Sequence, residues 1–146
     1  VVICDNRPEY ANQERFPDAD DIKADEYDRI FPTLSVNSSS FIVIVTHGHA
    51  HDQIALEWAL STKARYIGMI GSKTKIRSVY RTLLGQGVER EALRGVYSPI
   101  GLDIGGETPE EIAVAILAEM LAVRYGRAGG HLRKPELVPE DLTTGD

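Results

Sequence analysis

Residues 97–121 read YSPIGLDIGGETPEEIAVAILAEML, and this stretch decides how the chain is organised. Thr108 followed by Glu111 predicts a capping box, in which the hydroxyl accepts from a first-turn N–H and the carboxylate reaches back to the Thr108 N–H. Pro109 takes the first helical position, where its missing N–H costs nothing. The residues that follow predict a core helix with one broad apolar face, made of Ile112, Ala113, Ile116, Leu117, Met120 and Leu121.

The loop in front of this helix is rich in glycine and also apolar. Gly101, Gly105 and Gly106 flank Leu102, Asp103 and Ile104. Such a loop lets backbone approach a ligand or a neighbouring element closely. The Asp103 carboxylate, set between glycines, is a candidate to bind a ligand hydroxyl or amino group.

Apolar runs alternate with helical patterns along the rest of the chain. We predict strands over residues 1–4, 22–24, 41–45, 66–70 and 95–97, and helices over residues 25–31, 52–61, 72–84 and 90–93. This order indicates an α/β, Rossmann-like three-layer fold with a parallel sheet. Residues 1–125 form the predicted domain, and residues 126–146 are expected to be a disordered tail.

Composition narrows the possible functions. A net charge of −6 argues against general nucleic-acid binding, since neutralising phosphates requires a positive field. No apolar run is long enough to cross a bilayer, so no membrane partner is expected. The single cysteine, Cys4, cannot form an internal disulfide, and we therefore expect a cytoplasmic protein.

A basic segment covers residues 58–88, which contain six Lys and Arg but no Asp or Glu. Within it, Gly71, Ser72 and Lys73 lie where a predicted strand gives way to a helix. Exposed N–H groups at such a junction bind phosphate, and Lys73 would add a point charge. The alternative is structural, with Ser72 acting only as a helix cap and the basic residues forming a solvated face.

A histidine-rich loop follows the strongest predicted strand. Residues 46–52 read THGHAHD and hold three of the four histidines. Imidazole nitrogens and the Asp52 carboxylate suit a divalent metal. In the alternative interpretation, Asp52 caps the next helix and the histidines line a polar pocket.

Several blocks of sequence resemble one known family. They are DNRPEYA at 5–11 with RFPDA at 15–19, YIGMIGSK at 66–73, SPIGLDIG at 98–105 and ETPEEIA at 107–113. In this order they resemble the C-terminal Rossmann-like domain of the xanthine dehydrogenase accessory protein family (XdhC/CoxI). The resemblance favours His47, His49 and Asp52 over His51, because the family pattern looks like T-H-x-H-x-x-D.

The resemblance also implies a function. Proteins of this family are cytoplasmic maturation factors that bind the molybdenum cofactor (molybdopterin), support its sulfuration and hand it to a molybdenum hydroxylase such as xanthine dehydrogenase. The implied partners are the hydroxylase apoenzyme and a cysteine desulfurase, and a homo-oligomer is expected. The positions that we expect to contact the cofactor are Asp5, Arg7, His47, His49, Asp52, Gly71, Ser72, Lys73, Gly101, Asp103 and Glu107.

Two other functions remain open. Asp5 ends a predicted strand, as does the acidic residue that holds the ribose in NAD(P)-dependent oxidoreductases. That interpretation lacks a G-x-G-x-x-G turn. A module that only docks on a partner is the third possibility.

The first predicted strand raises a question of sheet closure. In a complete doubly wound sheet, another strand would separate residues 1–4 from residues 41–45. We therefore expect an unfilled position in the sheet of this chain. Either an upstream segment or a second copy of the chain would fill it.

Overall fold

Four short strands and five α-helices follow one another along the chain in the computed structural model, which describes residues 1–137 except for the side chain of His49. The strands are β1 Val2–Asp5, β2 Asp21–Ala24, β3 Phe41–Ile44 and β4 Tyr66–Met69. The helices are α1 Tyr27–Ile30, α2 His49–Leu60, α3 Lys73–Gly85, α4 Arg90–Arg94 and α5 Pro109–Tyr125, with 3-10 turns at Phe31–Thr33 and Pro135–Leu137.

The strands form two parallel pairs. In one pair Val2 lies beside Asp21, and in the other Phe41 lies beside Tyr66. Helices flank the parallel strands, which confirms the predicted Rossmann-like α/β class. The two pairs remain separate within residues 1–137, as an intervening strand would require.

The strand predicted over residues 95–97 is reduced to a single bridge. Tyr97 pairs with Gly68, donating its N–H to Ile67 O at 2.9 Å and accepting from Met69 N at 3.0 Å. Pairing stops there because Gly95 closes α4 and Pro99 has no N–H to donate.

The core lies between β3–β4 and the helices α2 and α3. Alternate strand residues point towards these helices, and the buried cluster contains Ile44, Leu56, Ala59, Met69, Ile76, Val79 and Leu83. On the opposite face, the rings of Phe41 and Tyr97 stack on Tyr66 at 5.6 and 4.8 Å, and the Tyr66 hydroxyl reaches Glu119 of α5. Helices α2 and α3 thus cover one face of β3–β4, and α5 reaches the other face through Glu119.

Helix α5 begins as predicted but does not form a core element. Thr108 Oγ1 accepts from Glu111 N at 3.3 Å, and Glu111 Oε2 accepts from Thr108 N at 3.0 Å, so the capping box is confirmed. The prediction of a broad buried face is wrong for Leu117 and Leu121, whose exposed fractions are 58% and 52%.

The reason lies in the glycine-rich loop, which packs against a different face of α5. A Cβ on Gly101 would lie 3.2 Å from that of Ala115, and one on Gly106 would lie 3.0 Å from that of Glu111. The helix therefore turns residues 111, 115 and 119 towards the protein, at spacings of i, i+4 and i+8.

Beyond α5 the chain has little regular structure. Residues 126–137 are exposed and carry only the final 3-10 turn. The rest of the predicted disordered tail, residues 138–146, lies outside the described residues. No helix within residues 1–137 has the length and apolar character that a bilayer crossing requires.

Candidate functional site

Ligand sites in open parallel sheets lie at the carboxyl ends of the strands. Here that edge carries the segments after β1, β3 and β4, together with the loop over residues 98–108. These four segments contain all the positions that the sequence assigns to a site.

A buried ion pair joins the segments after β3 and β4. Asp52 is fully buried, and its Oδ1 accepts from Thr46 Oγ1 at 2.6 Å. Its Oδ2 meets the Lys75 ammonium as an ion pair, although without the alignment of a regular hydrogen bond. Both carboxylate oxygens are therefore engaged within the protein.

The structure corrects one interpretation of Asp52. Helix α2 begins at His49, three residues earlier than predicted, and Gly48 is its N-cap. Asp52 is thus the fourth helical residue, so the alternative in which it caps the helix is wrong. The early start follows from Gly48, whose φ of 93° is a conformation that favours glycine and that turns the chain into the helix.

Gly71 and Ser72 arrange the first turn of α3 around Lys75. A Cβ on Gly71 would lie 3.2 Å from Lys75 Cδ, so the glycine leaves room for the lysine side chain. Ser72 is the N-cap, and its Oγ accepts from Lys75 N at 3.2 Å. Lys73 in the same turn is exposed to solvent. Ser72 therefore caps α3, and the exposed ammonium of Lys73 in the same turn can contact an anion.

The histidine loop is partly helical and contacts α1. The carbonyl of His47 lies 3.0 Å from His51 Nδ1 and can only accept, so Nδ1 carries the hydrogen in this bond. The His51 ring meets the buried Tyr27 ring edge-on, with centroids 5.3 Å apart. His51, which the resemblance did not select, thus links this loop to α1, while His49 is the first residue of α2.

The described side chains, which exclude that of His49, contain no convergent group of three metal-ligating residues. The proposed set includes Asp52, whose oxygens already face Thr46 and Lys75. The described part of the chain therefore gives no support to the metal hypothesis.

At the end of β1, Asp5 and Arg7 form a self-contained pair. The Asp5 carboxylate accepts from Arg7 N at 3.0 Å, Nε at 2.9 Å and Nη2 at 3.0 Å. These bonds lower the pKa of the Asp5 carboxyl below its usual value. The Arg7 guanidinium also lies over the exposed Tyr10 ring at 4.0 Å from the centroid.

Cys4 precedes Asp5 in β1. Burial raises the pKa of the Cys4 thiol, which disfavours the thiolate that would bind a soft metal.

The loop over residues 98–108 is anchored at both ends. Ser98 Oγ and Ile100 N both donate to Met69 O, at 3.0 and 3.2 Å. Glu119 Oε1 accepts from Gly101 N at 2.9 Å and from the Tyr66 hydroxyl at 2.6 Å. Burial and this hydrogen bond raise the pKa of Tyr66 well above its usual range. Gly101 has a φ of 99°, which a residue with a side chain rarely adopts.

Asp103 and Glu107 are exposed on this anchored loop. The backbone N–H of Glu107 donates to Glu111 Oε2 at 2.8 Å, which holds the segment next to α5. The loop thus presents two carboxylates to solvent from a fixed backbone.

The structure therefore places only some of the predicted site residues in contact with one another. Direct contact joins Asp52 to the turn containing Gly71 and Ser72, through Lys75. Sequence reasoning did not select Lys75 or Thr46. The sequence marked Lys75 as a basic residue beside Lys73 that favours an anion site, and not as the partner of Asp52, which lies 23 positions away in the sequence.

The chain matches the XdhC Rossmann domain over residues 1–120. It belongs to the XdhC family. The sequence is 35% identical over 129 residues to a protein of Bacillus subtilis (strain 168) named as a probable xanthine dehydrogenase subunit, covering 85% of this chain and 36% of that protein. It is 30% identical over 136 residues to the uncharacterized protein YqeB of Escherichia coli (strain K12), covering 92% of this chain and 25% of that protein.

A solved structure agrees with this assignment. The fold is similar to the crystal structure of a xanthine dehydrogenase from Bacillus halodurans, with a TM-score of 0.72 and 31% sequence identity over 92% of this chain and 37% of that chain. The chain thus spans about a quarter to two fifths of the length of these relatives.

Proposed function

We propose that this XdhC domain takes part in the maturation of xanthine dehydrogenase-type molybdenum hydroxylases, by binding the molybdenum cofactor. The observation that carries the proposal is the match to the XdhC Rossmann domain over residues 1–120, together with a relative named as a probable xanthine dehydrogenase subunit. The role is that of a maturation factor, which has to hold and release a ligand.

The chemistry of the exposed groups fits a phosphorylated, polar pterin. The Ser72 hydroxyl takes the Lys75 N–H, whereas the N–H groups of Lys73 and Thr74 in the same turn of α3 have no acceptor within the helix. Arg7 adds a second cation at the end of β1, although its guanidinium is paired with Asp5. The exposed carboxylates of Asp103 and Glu107 would accept from pterin N–H groups. These residues are the ones we assign to the cofactor.

Asp52 has a different role in this proposal. Its side chain is fully buried, so it holds Lys75 and the first turn of α3 in place and does not contact the cofactor. Molybdenum and its sulfur ligands belong to the cofactor and carry the redox chemistry, while the protein supplies binding and orientation. Sulfuration by a cysteine desulfurase and transfer to the hydroxylase apoenzyme are the steps that such binding would serve.

Retention of the cofactor tests this proposal. The protein is incubated with molybdenum cofactor freshly released from a molybdenum enzyme, and retained molybdenum and pterin are measured after gel filtration. We expect Lys73→Ala to reduce retention. Lys63→Ala is the matched control, because Lys63 is exposed at the other edge of the sheet, before β4. Equal retention by both variants would remove the phosphate site from α3, and no retention by the unmodified protein would refute cofactor binding.

One observation favours testing a nicotinamide cofactor as the alternative to the molybdenum cofactor. The Asp5 carboxylate is engaged by Arg7, which disfavours a hydrogen bond to the ribose of NAD, whereas an arginine at this place suits the 2′-phosphate of NADP. The same gel-filtration assay with NAD and NADP decides between the classes. Retention of NADP, lost in Arg7→Met, would favour the oxidoreductase.

A further inference from the structure

Helix α3 carries a row of exposed cations on the side that faces away from its buried apolar residues. Lys73, Arg77 and Arg81 are all exposed to solvent. Their spacing of i, i+4 and i+8 places them about 6 Å apart along one face of the helix. These three residues form the basic row.

The basic row has no ion-pair partner among the described residues. By contrast, the exposed Arg29 of α1 and Arg94 of α4 each pair with a carboxylate one turn earlier. In the basic row the residue one turn earlier is another cation, and like charges at i, i+4 destabilise a helix. Residues 58–88 contain no Asp or Glu that could offset this repulsion within the helix.

The start of α3 also differs from the starts of the other α-helices. Helices α1, α2, α4 and α5 each have an acidic residue in the first turn, whereas α3 has none and begins with Lys73. A cation at this end of a helix lies at the positive pole of the helix dipole. The basic row therefore lowers the stability of the isolated domain, and an anionic partner would remove the repulsion.

The charge of the rest of the chain limits the kind of partner. The net charge is −6, so the field beyond the basic row would oppose a long polyanion such as duplex DNA. Anionic membranes are recognised by clusters of about four to eight basic residues, which is more than the row contains. An acidic helix with carboxylates at every fourth residue has the same spacing as the row. The exposed residues beside the row are short hydroxyl side chains, which let a protein surface approach closely: Thr74, Ser78 and Thr82.

We propose that the basic row docks an acidic surface of the molybdenum hydroxylase apoenzyme, next to the opening through which that enzyme takes up its cofactor. The row begins at Lys73, in the turn assigned to the cofactor phosphate, and Arg81 lies about 12 Å further along the helix. A hydroxylase seated on the row would therefore lie beside the bound cofactor. This inference rests on the proposed function for the identity of the partner.

Arg77→Glu tests the inference, because it separates docking from helix stability. A glutamate at position 77 would have Lys73 one turn before it and Arg81 one turn after it, so the thermal unfolding midpoint should not fall. Association with the hydroxylase should nevertheless slow by about tenfold or more at low salt. Arg65→Glu is the matched control, because it makes the same charge change at an exposed arginine at the other edge of the sheet, before β4. Its association rate should stay within about threefold of that of the unmodified chain.

Association rates are measured by biolayer interferometry with the cofactor-free apoenzyme of the xanthine dehydrogenase-type hydroxylase of the same organism, at low and at physiological salt. The rate for the unmodified chain should fall more steeply with salt than the rate for Arg77→Glu. Equal slowing by both variants, or no association of the unmodified chain, overturns the proposal. Equally tight binding of duplex DNA or of anionic lipid vesicles overturns the assignment to a protein surface.

The association assay contains no cofactor, so its result is independent of the retention assay. If the unmodified chain retains no cofactor but Arg77→Glu loses association, the docking surface stands and cofactor binding alone fails. If the cofactor is retained and both variants associate equally, cofactor binding stands and the docking surface is refuted.

Discussion

Two ion pairs at the carboxyl edge of the sheet show how differently the two halves of the molecule are built. In the β3–β4 half, Asp52 is fully buried and faces Lys75, whose side chain is 21% exposed. In the β1–β2 half, the side chains of Asp5 and Arg7 are 20% and 32% exposed. The first pair joins helices α2 and α3, whereas the second orders a single turn.

The surrounding packing follows the same division. The buried cluster consists of residues from β3, β4, α2, α3 and the α4 region, whereas only Ala11, Tyr27 and Ile30 are buried hydrophobics on the β1–β2 side of the described residues. No residue of β1 or β2 is buried. The β3–β4 half therefore supplies most of the stability of the described chain.

The largest expected effect comes from the buried pair. Lys75→Met would leave the Asp52 charge buried and uncompensated, and should cost about 3–5 kcal/mol in the free energy of unfolding. Lys73→Met is the matched control, because Lys73 is exposed in the same turn, and its change should stay within about 0.5 kcal/mol. Urea unfolding measures both. The double variant Asp52→Asn/Lys75→Met should recover part of the loss, and equal stability of the two single variants would contradict the importance of the pair.

The second prediction compares the hydrophobic contributions of the halves. Leu56→Ala removes a fully buried side chain from α2 and should cost about 2–5 kcal/mol. Ile3→Ala in β1 removes a partly buried side chain and should cost less than about 1.5 kcal/mol. Guanidinium unfolding of the two variants tests the difference. A loss in Ile3→Ala as large as that in Leu56→Ala would show that the β1–β2 half carries part of the core.

The third prediction concerns the attachment of α5 to the β3–β4 half. Tyr66→Phe removes the hydroxyl that donates to Glu119 and should cost about 1–3 kcal/mol, because the bond is partly buried and its acceptor is charged. Tyr97→Phe keeps the stacked ring and should change stability by less than about 0.5 kcal/mol. Thermal unfolding of both variants at neutral pH measures the difference.

A pH series sharpens this third comparison. Since the pKa of Tyr66 is raised in the folded state, the stability linked to it is present below the unfolded pKa of about 10 and is lost as the pH rises above it. Tyr66→Phe should flatten this alkaline loss. An unchanged alkaline limb would argue against the Tyr66–Glu119 bond.

The sequence predicted those parts of the fold that depend on local signals. Neighbouring residues carry the signals for the capping box of Thr108 and Glu111, the strand at Phe41–Ile44 and the Ser72 cap. The structure contains all three. The exposure of Leu117 was not predictable in this way. It depends on how closely Gly101 and Gly106 bring the loop to one face of α5, which is a tertiary effect.

The candidate site likewise has features that the sequence predicts and contacts that only the structure shows. The four segments were predictable from the rule for parallel sheets, and the family was recognisable from short blocks of sequence. The pairing of Asp52 with Lys75, and the contact of His51 with Tyr27, join residues 23 and 24 positions apart. No local pattern records such contacts, so the roles of individual residues needed the structure.

The smallest expected effect lies in the half-buried Asp5–Arg7 pair of the β1–β2 half, and it concerns the pH dependence of stability. Arg7 lowers the pKa of Asp5 in the folded state, so the stability linked to Asp5 is present above the unfolded pKa of about 3.9 and is lost as the pH falls through the lower folded value. Arg7→Met should therefore make thermal unfolding less steeply dependent on pH below about 4. Arg29→Met is the control, because Arg29 also pairs with an aspartate, Asp25, but is 72% exposed. Unfolding midpoints measured from neutral to acidic pH compare the three proteins. If Arg7→Met keeps the acid dependence of the unmodified chain, the Asp5 pair contributes no more than an ordinary surface contact, and the difference between the two halves is larger than the geometry of Asp5 indicates.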